Sequence, residues 1–131
     1  METNERRRVD SGTKWEAMAG YCRAIRVGDR ILVAGTTATD AQGNLVGSDD
    51  PGAQARFILD KIERAIVELG GSLADVVRTR VYVAEISHWE RVARVHGERF
   101  KEIRPVNTLV QASLVGPEFL VEIEAEAVVT E

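Results

Sequence analysis

The chain has 131 residues, of which 44% are hydrophobic and 29% charged, a formal net charge of −4, one cysteine and two histidines. That is enough for one globular domain with an ordinary core and too little for two. The acidic balance argues against a protein whose main task is gripping nucleic-acid backbone, and a lone Cys22 excludes an intramolecular disulfide and leaves a poor set of zinc ligands with the two histidines. No metal is expected. No apolar run approaches membrane-spanning length, and the N-terminus has no apolar core behind its basic residues, so neither a membrane span nor a signal peptide is expected and the expected location is cytoplasmic.

Residues 1–10 are polar, with Arg6, Arg7 and Arg8 in a row, and read as a flexible tail. Ser11 to Ala19 looks like an irregular lead-in in which Trp15 covers an apolar edge. Tyr21 to Val27 and Arg30 to Thr36 are strand-like arms joined across Gly28-Asp29, which suits a tight hairpin. In the first arm Tyr21, Arg23 and Ile25 face one way, and Cys22, Ala24 and Arg26 the other. Thr37 to Asp50 is a loop rich in Gly, Asp, Asn, Thr and Ser, with a turn at Gln42-Gly43-Asn44 and enough length to be functional. Asp50 is the expected N-cap of a helix with Pro51 at its first position, and Gly70-Gly71 closes it. Between them Ala55, Ile58, Leu59, Ile62, Ala65, Ile66 and Leu69 form an apolar stripe at helical spacing.

A strand from Val76 to Ala84 follows, in which Val77, Thr79, Val81 and Val83 alternate with Arg78, Arg80 and Tyr82. Ser87-His88-Trp89-Glu90 has the pattern of a capping box opening a second helix to about Ile103, with Val92, Val95, Phe100 and Ile103 inward. Pro105 stops it. Val106 to Ala112 is another strand, Leu114 to Phe119 a Gly-Pro loop, and Leu120 to Val129 the last strand. There Glu122, Glu124 and Glu126 share one face and Val121, Ile123, Ala125 and Ala127 the other. Three carboxylates on one face are costly unless water, cations or a ligand answer them. The arginines of Val76 to Ala84 make that strand their natural neighbour.

About five strands and two helices in this order give an α+β domain, a mixed β-sheet with both helices packed on one face. The other face carries Tyr21, Arg23, Arg78, Arg80 and the three glutamates. Either it meets water, with ion pairs worth little each, or it packs against copies of itself so that the pairs become interior.

From Gly20 to Val129 the chain resembles the RidA (YjgF) family. The resemblance is carried by Gly20-Tyr21, Val33-Ala34-Gly35, Gln54, the run from Leu69-Gly70-Gly71 to Val76-Val77, Pro105 with the strand after it, and Val121-Glu122-Ile123-Glu124-Ala125. It implies a chorismate-mutase-like fold, with residues 11–131 as a single RidA-like domain, and a homotrimer with small-molecule clefts between adjacent subunits. It further implies a cofactor-free hydrolase of reactive imines and enamines, in which a glutamate on the last strand positions water and an arginine of a Pro-x-Arg-Ser motif clamps a substrate carboxylate.

On this resemblance Glu122 is the water-positioning glutamate and Tyr21 a cleft tyrosine. The motif reads Pro105-Val106-Asn107-Thr108, so Asn107 stands where the family has arginine. Ala34 and Ala93 likewise replace a serine and an asparagine. Removing the clamp costs about 2–5 kcal/mol by analogy with truncated charge pairs, while Asn107 and Thr108 remain neutral substrate-binding candidates. Arg23, on the face of Tyr21, is a candidate to return a cation to the cleft or else the partner of a glutamate. His96 reads as a satisfied core or edge histidine. The implied activity is hydrolysis of a small imine, enamine or related carbonyl compound with specificity altered at Asn107. A non-catalytic ligand- or partner-binding trimer is the alternative, and RNA cleavage, reported for some relatives, is third and disfavoured by the acidic charge.

Overall fold

The computed structural model describes residues 5–130. Six strands, β1 (Arg6–Val9), β2 (Ala24–Val27), β3 (Arg30–Thr36), β4 (Val76–Val83), β5 (Val106–Gln111) and β6 (Val121–Val128), form one sheet in the order β1-β2-β3-β6-β4-β5. Only the β4–β5 pair is parallel. Helices α2 (Pro51–Glu68) and α3 (Trp89–Phe100) pack on each other, with α2 lying across β3 and β6. The α+β architecture with a mixed sheet and two helices on one face is as expected.

The central strand shows why. On β6, Val121, Ile123, Ala125 and Ala127 are buried under the helices and Glu122, Glu124 and Glu126 occupy the opposite face, as the two-residue period requires. Ile58, Leu59, Ile62 and Ile66 of α2 meet that apolar face, each no more than 1% exposed. Asp50 caps α2 by accepting from the Ala53 amide at 3.0 Å, with Pro51 at the first position. Gly70, at φ 90°, takes the left-handed conformation that ends it. Inside the first turns Gln54 is fully buried: its amide donates to Gly47 O and Glu118 O, and its carbonyl accepts from Leu120 N. One side chain thus fixes the loops before α2 and before β6.

The open face pairs as its charges suggest. Arg78 and Arg80 of β4 stand opposite Glu126 and Glu124, and Arg80 approaches Glu126 at 3.5 Å and Glu124 at 3.9 Å. Around them Leu32, Val106 and Val110 are exposed apolar groups on the same face.

Several local expectations are corrected. Arg6–Val9 is part of the expected tail but forms a strand, with Arg6 opposite Val27 and Val9 opposite Ala24; residues 1–4 of that tail lie outside the described residues. The facing arginines, Arg7 and Arg26, tolerate one another because both donate to Leu69 O at the C-terminal end of α2, where the helix dipole is negative. The lead-in contains a short helix, α1 (Lys14–Ala19), capped by Thr13 and closed by Gly20. Ser87 opens no capping box: a 3-10 turn spans Ile86–His88, and α3 starts without a side-chain cap. That helix stops at Phe100, because Ile103 N and Arg104 N fold back to Phe100 O ahead of Pro105. Val77 is exposed, since a register shift between Val76 and Arg78 turns it out of the core.

Replacing Gln54 by Leu is expected to lower stability by about 2–4 kcal/mol, because Leu120 N and two carbonyls lose their partner inside the fold. Urea denaturation checks the magnitude, and faster hydrogen exchange at the Leu120 amide checks the cause.

Candidate functional site

Where β3 passes β6 the pairing slips: Val33 faces Ala125 but Thr36 faces Ile123, so β3 carries one extra residue. Such a bulge bends its strand and re-aims side chains. Gly35 lies in it, and a Cβ built there would come within 2.2 Å of Glu122 Oε2. A side chain at position 35 would push the Glu122 carboxylate out of its present place.

Arg23 fastens the bulge. Its guanidinium donates to Gly35 O and to Thr36 Oγ1 on one side, and through Nε and Nη2 to Glu16 Oε2 at 3.1 and 3.0 Å on the other. Arg23 and Glu16 are 4% and 5% exposed, so this is a buried ion pair. Burial alone would raise the Glu16 pKa, but hydrogen bonds from the Ser11 hydroxyl and amide, together with Arg23, outweigh it and hold the carboxylate below its ordinary value. The Tyr21 ring lies 5.6 Å from the Arg23 guanidinium, within cation–π range.

Against this wall opens a cavity of about 240 Å³. Trp15 and Ala19 of α1, Tyr21, Arg23, Gly35 and Glu122 line it, with Thr37, Thr39 and Lys61 on the remaining side. Glu122 has no hydrogen bond or ion pair among the described residues, in contrast to Glu124, which accepts from Tyr82 and faces Arg80, and Glu126, which faces Arg30, Arg78 and Arg80. Burial raises the Glu122 pKa; the Arg23 charge opposes the shift and Glu124 adds to it. A half-buried, unpaired carboxylate with an elevated pKa is suited to accept and return a proton. A larger hollow of about 460 Å³ lies on the far side of Arg23 and Lys61. It lacks Glu122.

Of the residues singled out in the sequence, Glu122, Tyr21 and Arg23 meet at this cavity. Arg23 is not a free cation there, since Glu16 neutralises it. Asn107 and Thr108 stand on β5, beyond β4 from Glu122 and at the outer edge of the sheet. Thr108 is exposed on the open face beside Arg80. Asn107 donates through Nδ2 to Thr79 Oγ1 at 2.9 Å, and Thr79 Oγ1 is 2.8 Å from His96 Nε2. The hydroxyl accepts from Asn107 and shares a hydrogen bond with Nε2, and burial lowers the His96 pKa.

Lys61 borders the cavity and Glu16 holds Arg23 beside it, neither having been singled out, while Gly35 was read as a family match and not as a neighbour of Glu122. Thr13-x-x-Glu16 is a capping pattern, and Thr13 Oγ1 does accept from Glu16 N. That pattern marks a helix start but not the partner of Arg23. Lys61 sits among the charged residues of α2, which read as solvated.

Fold and cleft together define a class: small α+β proteins whose mixed six-stranded sheet is covered by helices on one face and carries charges on the other. The profile of the endoribonuclease L-PSP family, the YjgF/RidA group, matches residues 12–129, and the chain belongs to that family. Rv2704 of Mycobacterium tuberculosis, described as a member of the highly conserved YjgF/YER057c/UK114 family, is 46% identical and superposes with a TM-score of 0.86 over 95% of this chain and 100% of its own. An uncharacterised protein of Streptomyces coelicolor A3(2) is 41% identical over 122 residues, 92% of this chain and 90% of its length. TdcF of E. coli, solved with bound serine, is 22% identical with a TM-score of 0.79 over 99% of this chain and 98% of its own, a likeness of fold. No helix of the described residues is long and apolar enough to cross a membrane.

The two carboxylates have opposite pH signatures. Glu16, with a lowered pKa, stabilises the fold above its ordinary value of 4.5 and loses that contribution as pH falls through the folded value. Glu122, with a raised pKa, contributes fully below 4.5 and loses its contribution as pH rises through the folded value. At neutral pH Glu16→Gln is therefore expected to cost about 3–5 kcal/mol, leaving Arg23 buried and unpaired, while Glu122→Gln stabilises. Both differences shrink in acid below 4.5. Urea denaturation of the three proteins across this range checks the signs.

Proposed function

We propose that the protein is a RidA-type hydrolase of small imines, enamines or related carbonyl compounds, acting as a homotrimer with its clefts between subunits and with specificity altered by Asn107. The observation that carries this reading is Glu122: of three glutamates on one strand face, it is the one without a hydrogen bond or ion pair among the described residues, and it borders a cavity. There the carboxylate orients a water and takes its proton as the oxygen attacks the C=N carbon. That proton passes to the imine nitrogen, giving a carbinolamine; the carboxylate then carries the remaining hydroxyl proton to the same nitrogen as C=O forms and the nitrogen departs. A C–O bond forms, the C–N bond breaks, and the products are a carbonyl compound and ammonia. Water and a carboxylate suffice for these steps.

The trimer has its support in the open face. Leu32, Val106 and Val110 present apolar area there, and a second sheet laid over it would exclude water from the Arg78, Arg80, Glu124 and Glu126 pairs. Asn107 and Thr108, on the outermost strand, would then reach a neighbouring copy's cleft; Asn107 keeps its carbonyl and one N–H beyond its bond to Thr79.

A non-catalytic ligand-binding trimer is the second reading. It is favoured by one observation: Arg23 and Asn107, both sequence candidates for holding substrate, already have protein partners. RNA cleavage is third, since a net charge of −4 works against the attraction on which RNA affinity rests.

Light scattering is expected to give three times the 14.4 kDa chain mass. Enzymatically generated imines, with and without a carboxylate, are expected to be hydrolysed faster than in buffer, and Glu122→Gln to lower kcat/KM by about 100-fold while the mass is retained. Parent rates equal to buffer, with ligand binding retained, would transfer the assignment to the second reading.

A further inference from the structure

The charges around the cavity do not cancel evenly. Arg23 is balanced by Glu16 and donates through Nη1 to Gly35 O and Thr36 Oγ1, so its charge is answered although one of its five N–H groups has no acceptor among the described residues. Glu122 is unpaired. On the side of α2 stands Lys61, whose Nζ donates to Thr39 O at 2.9 Å and to Thr39 Oγ1 at 3.2 Å. Both acceptors are neutral, and Lys61 has no ion pair among the described residues. An ammonium has three N–H donors, so one is unassigned, and Lys61 lines the same cavity as Glu122.

Two neutral oxygens fix the position of this cation without discharging it. Burial pulls its pKa down, and repulsion from Arg23 pulls the same way; Arg64 adds to this, while Glu16 and Asp40 oppose it. An anion in the cavity would relieve both the desolvation and the repulsion. The position also suits a small substrate, because in a 2-imino acid the carboxylate is bonded directly to the carbon that water attacks. A carboxylate held at Lys61 and a water held at Glu122 would serve adjacent atoms of one molecule inside about 240 Å³.

We infer that Lys61 is the anion-binding residue of this cleft, selecting ligands that carry a carboxylate beside a C=N or C=O carbon in place of the arginine that position 107 lacks. The inference deepens the proposed function and rests on it for the choice of ligand class. A purely structural role, tethering Thr39 to α2, makes a different prediction: losing the tether would disturb charged and neutral ligands alike.

The test is calorimetric titration with pyruvate and with its uncharged methyl ester, on the parent protein, Lys61→Gln and Lys61→Arg, each first checked for unchanged oligomeric mass. Lys61→Gln keeps a donor for Thr39 and removes the charge. It is expected to weaken pyruvate by about tenfold or more, the worth of one charge-assisted hydrogen bond, and to leave the ester unchanged. Lys61→Arg is expected to restore pyruvate binding. Equal weakening of acid and ester, unaltered pyruvate binding in Lys61→Gln, or a parent that binds no pyruvate would each overturn the inference. Titration requires no turnover, so a failure to hydrolyse imines and a failure of Lys61 to select carboxylates are separate results.

Discussion

The buried pair of Arg23 and Glu16 joins three pieces of chain that have no other reason to meet at this angle. Glu16 lies in a helix of six residues, too short to hold itself in water; Arg23 precedes β2, and the carbonyl it bonds belongs to the bulge of β3. A buried ion pair is poor evidence of net stabilisation, because desolvation offsets much of the attraction. Its value here is geometric. The guanidinium's flat array of donors satisfies the polar groups that the bulge frees from the sheet ladder, and the bulge in turn places Gly35 opposite Glu122. Remove the pair, and the helix that walls the cavity and the strand that admits the carboxylate both lose their anchor.

Glu122, Glu124 and Glu126 show how one repeating pattern yields different chemistry. All three are glutamates on one face of one strand, yet the cation density falls along it. Arg30, Arg78 and Arg80 surround Glu126, Arg80 and the Tyr82 hydroxyl serve Glu124, and no protein group bonds Glu122 among the described residues. The opening at Gly35 falls where the pairing ends. Of the three carboxylates, the one at the end of this gradient can accept a proton without first breaking an ion pair among the described residues.

The parts of the fold that were legible in the sequence are those whose burial is periodic. α2 and β6 each expose one face and bury the other over many residues, and Asp50-Pro51 and Gly70 mark the ends of α2 by backbone chemistry that is local. β1 and α1 were not legible, because tertiary partners make them: β1 is a strand of arginines held by β2 and the end of α2, and α1 is fastened through Glu16. The site divides the same way. Glu122 and Tyr21 stood out through a family resemblance and a shared face. Lys61 and Glu16 are charged residues of helices, indistinguishable by type from solvated ones, and only the fold shows that Lys61 borders the cavity and that Glu16 holds Arg23 beside it. Thr108 and Asn107 were legible as a motif but not as to place, since β5 pairs parallel to β4 at the sheet's edge and only an assembly would return them to a cleft.

Position 107 is also tied to its own surroundings. Asn107, Thr79 and His96 form a chain of neutral hydrogen bonds, with His96 stacked 4.5 Å from Phe100 and Thr79 fully buried. Asn107 donates to the Thr79 hydroxyl, which is hydrogen-bonded in turn to the His96 ring, and burial lowers the His96 pKa. At this exposed edge position a guanidinium would be free to turn to water, whereas the shorter Asn107 amide reaches only as far as the Thr79 hydroxyl. The asparagine is therefore more than an absence of arginine. It belongs to an uncharged cluster at the edge of the sheet, whereas the cavity beside Glu122 is bordered by the Lys61 ammonium of α2.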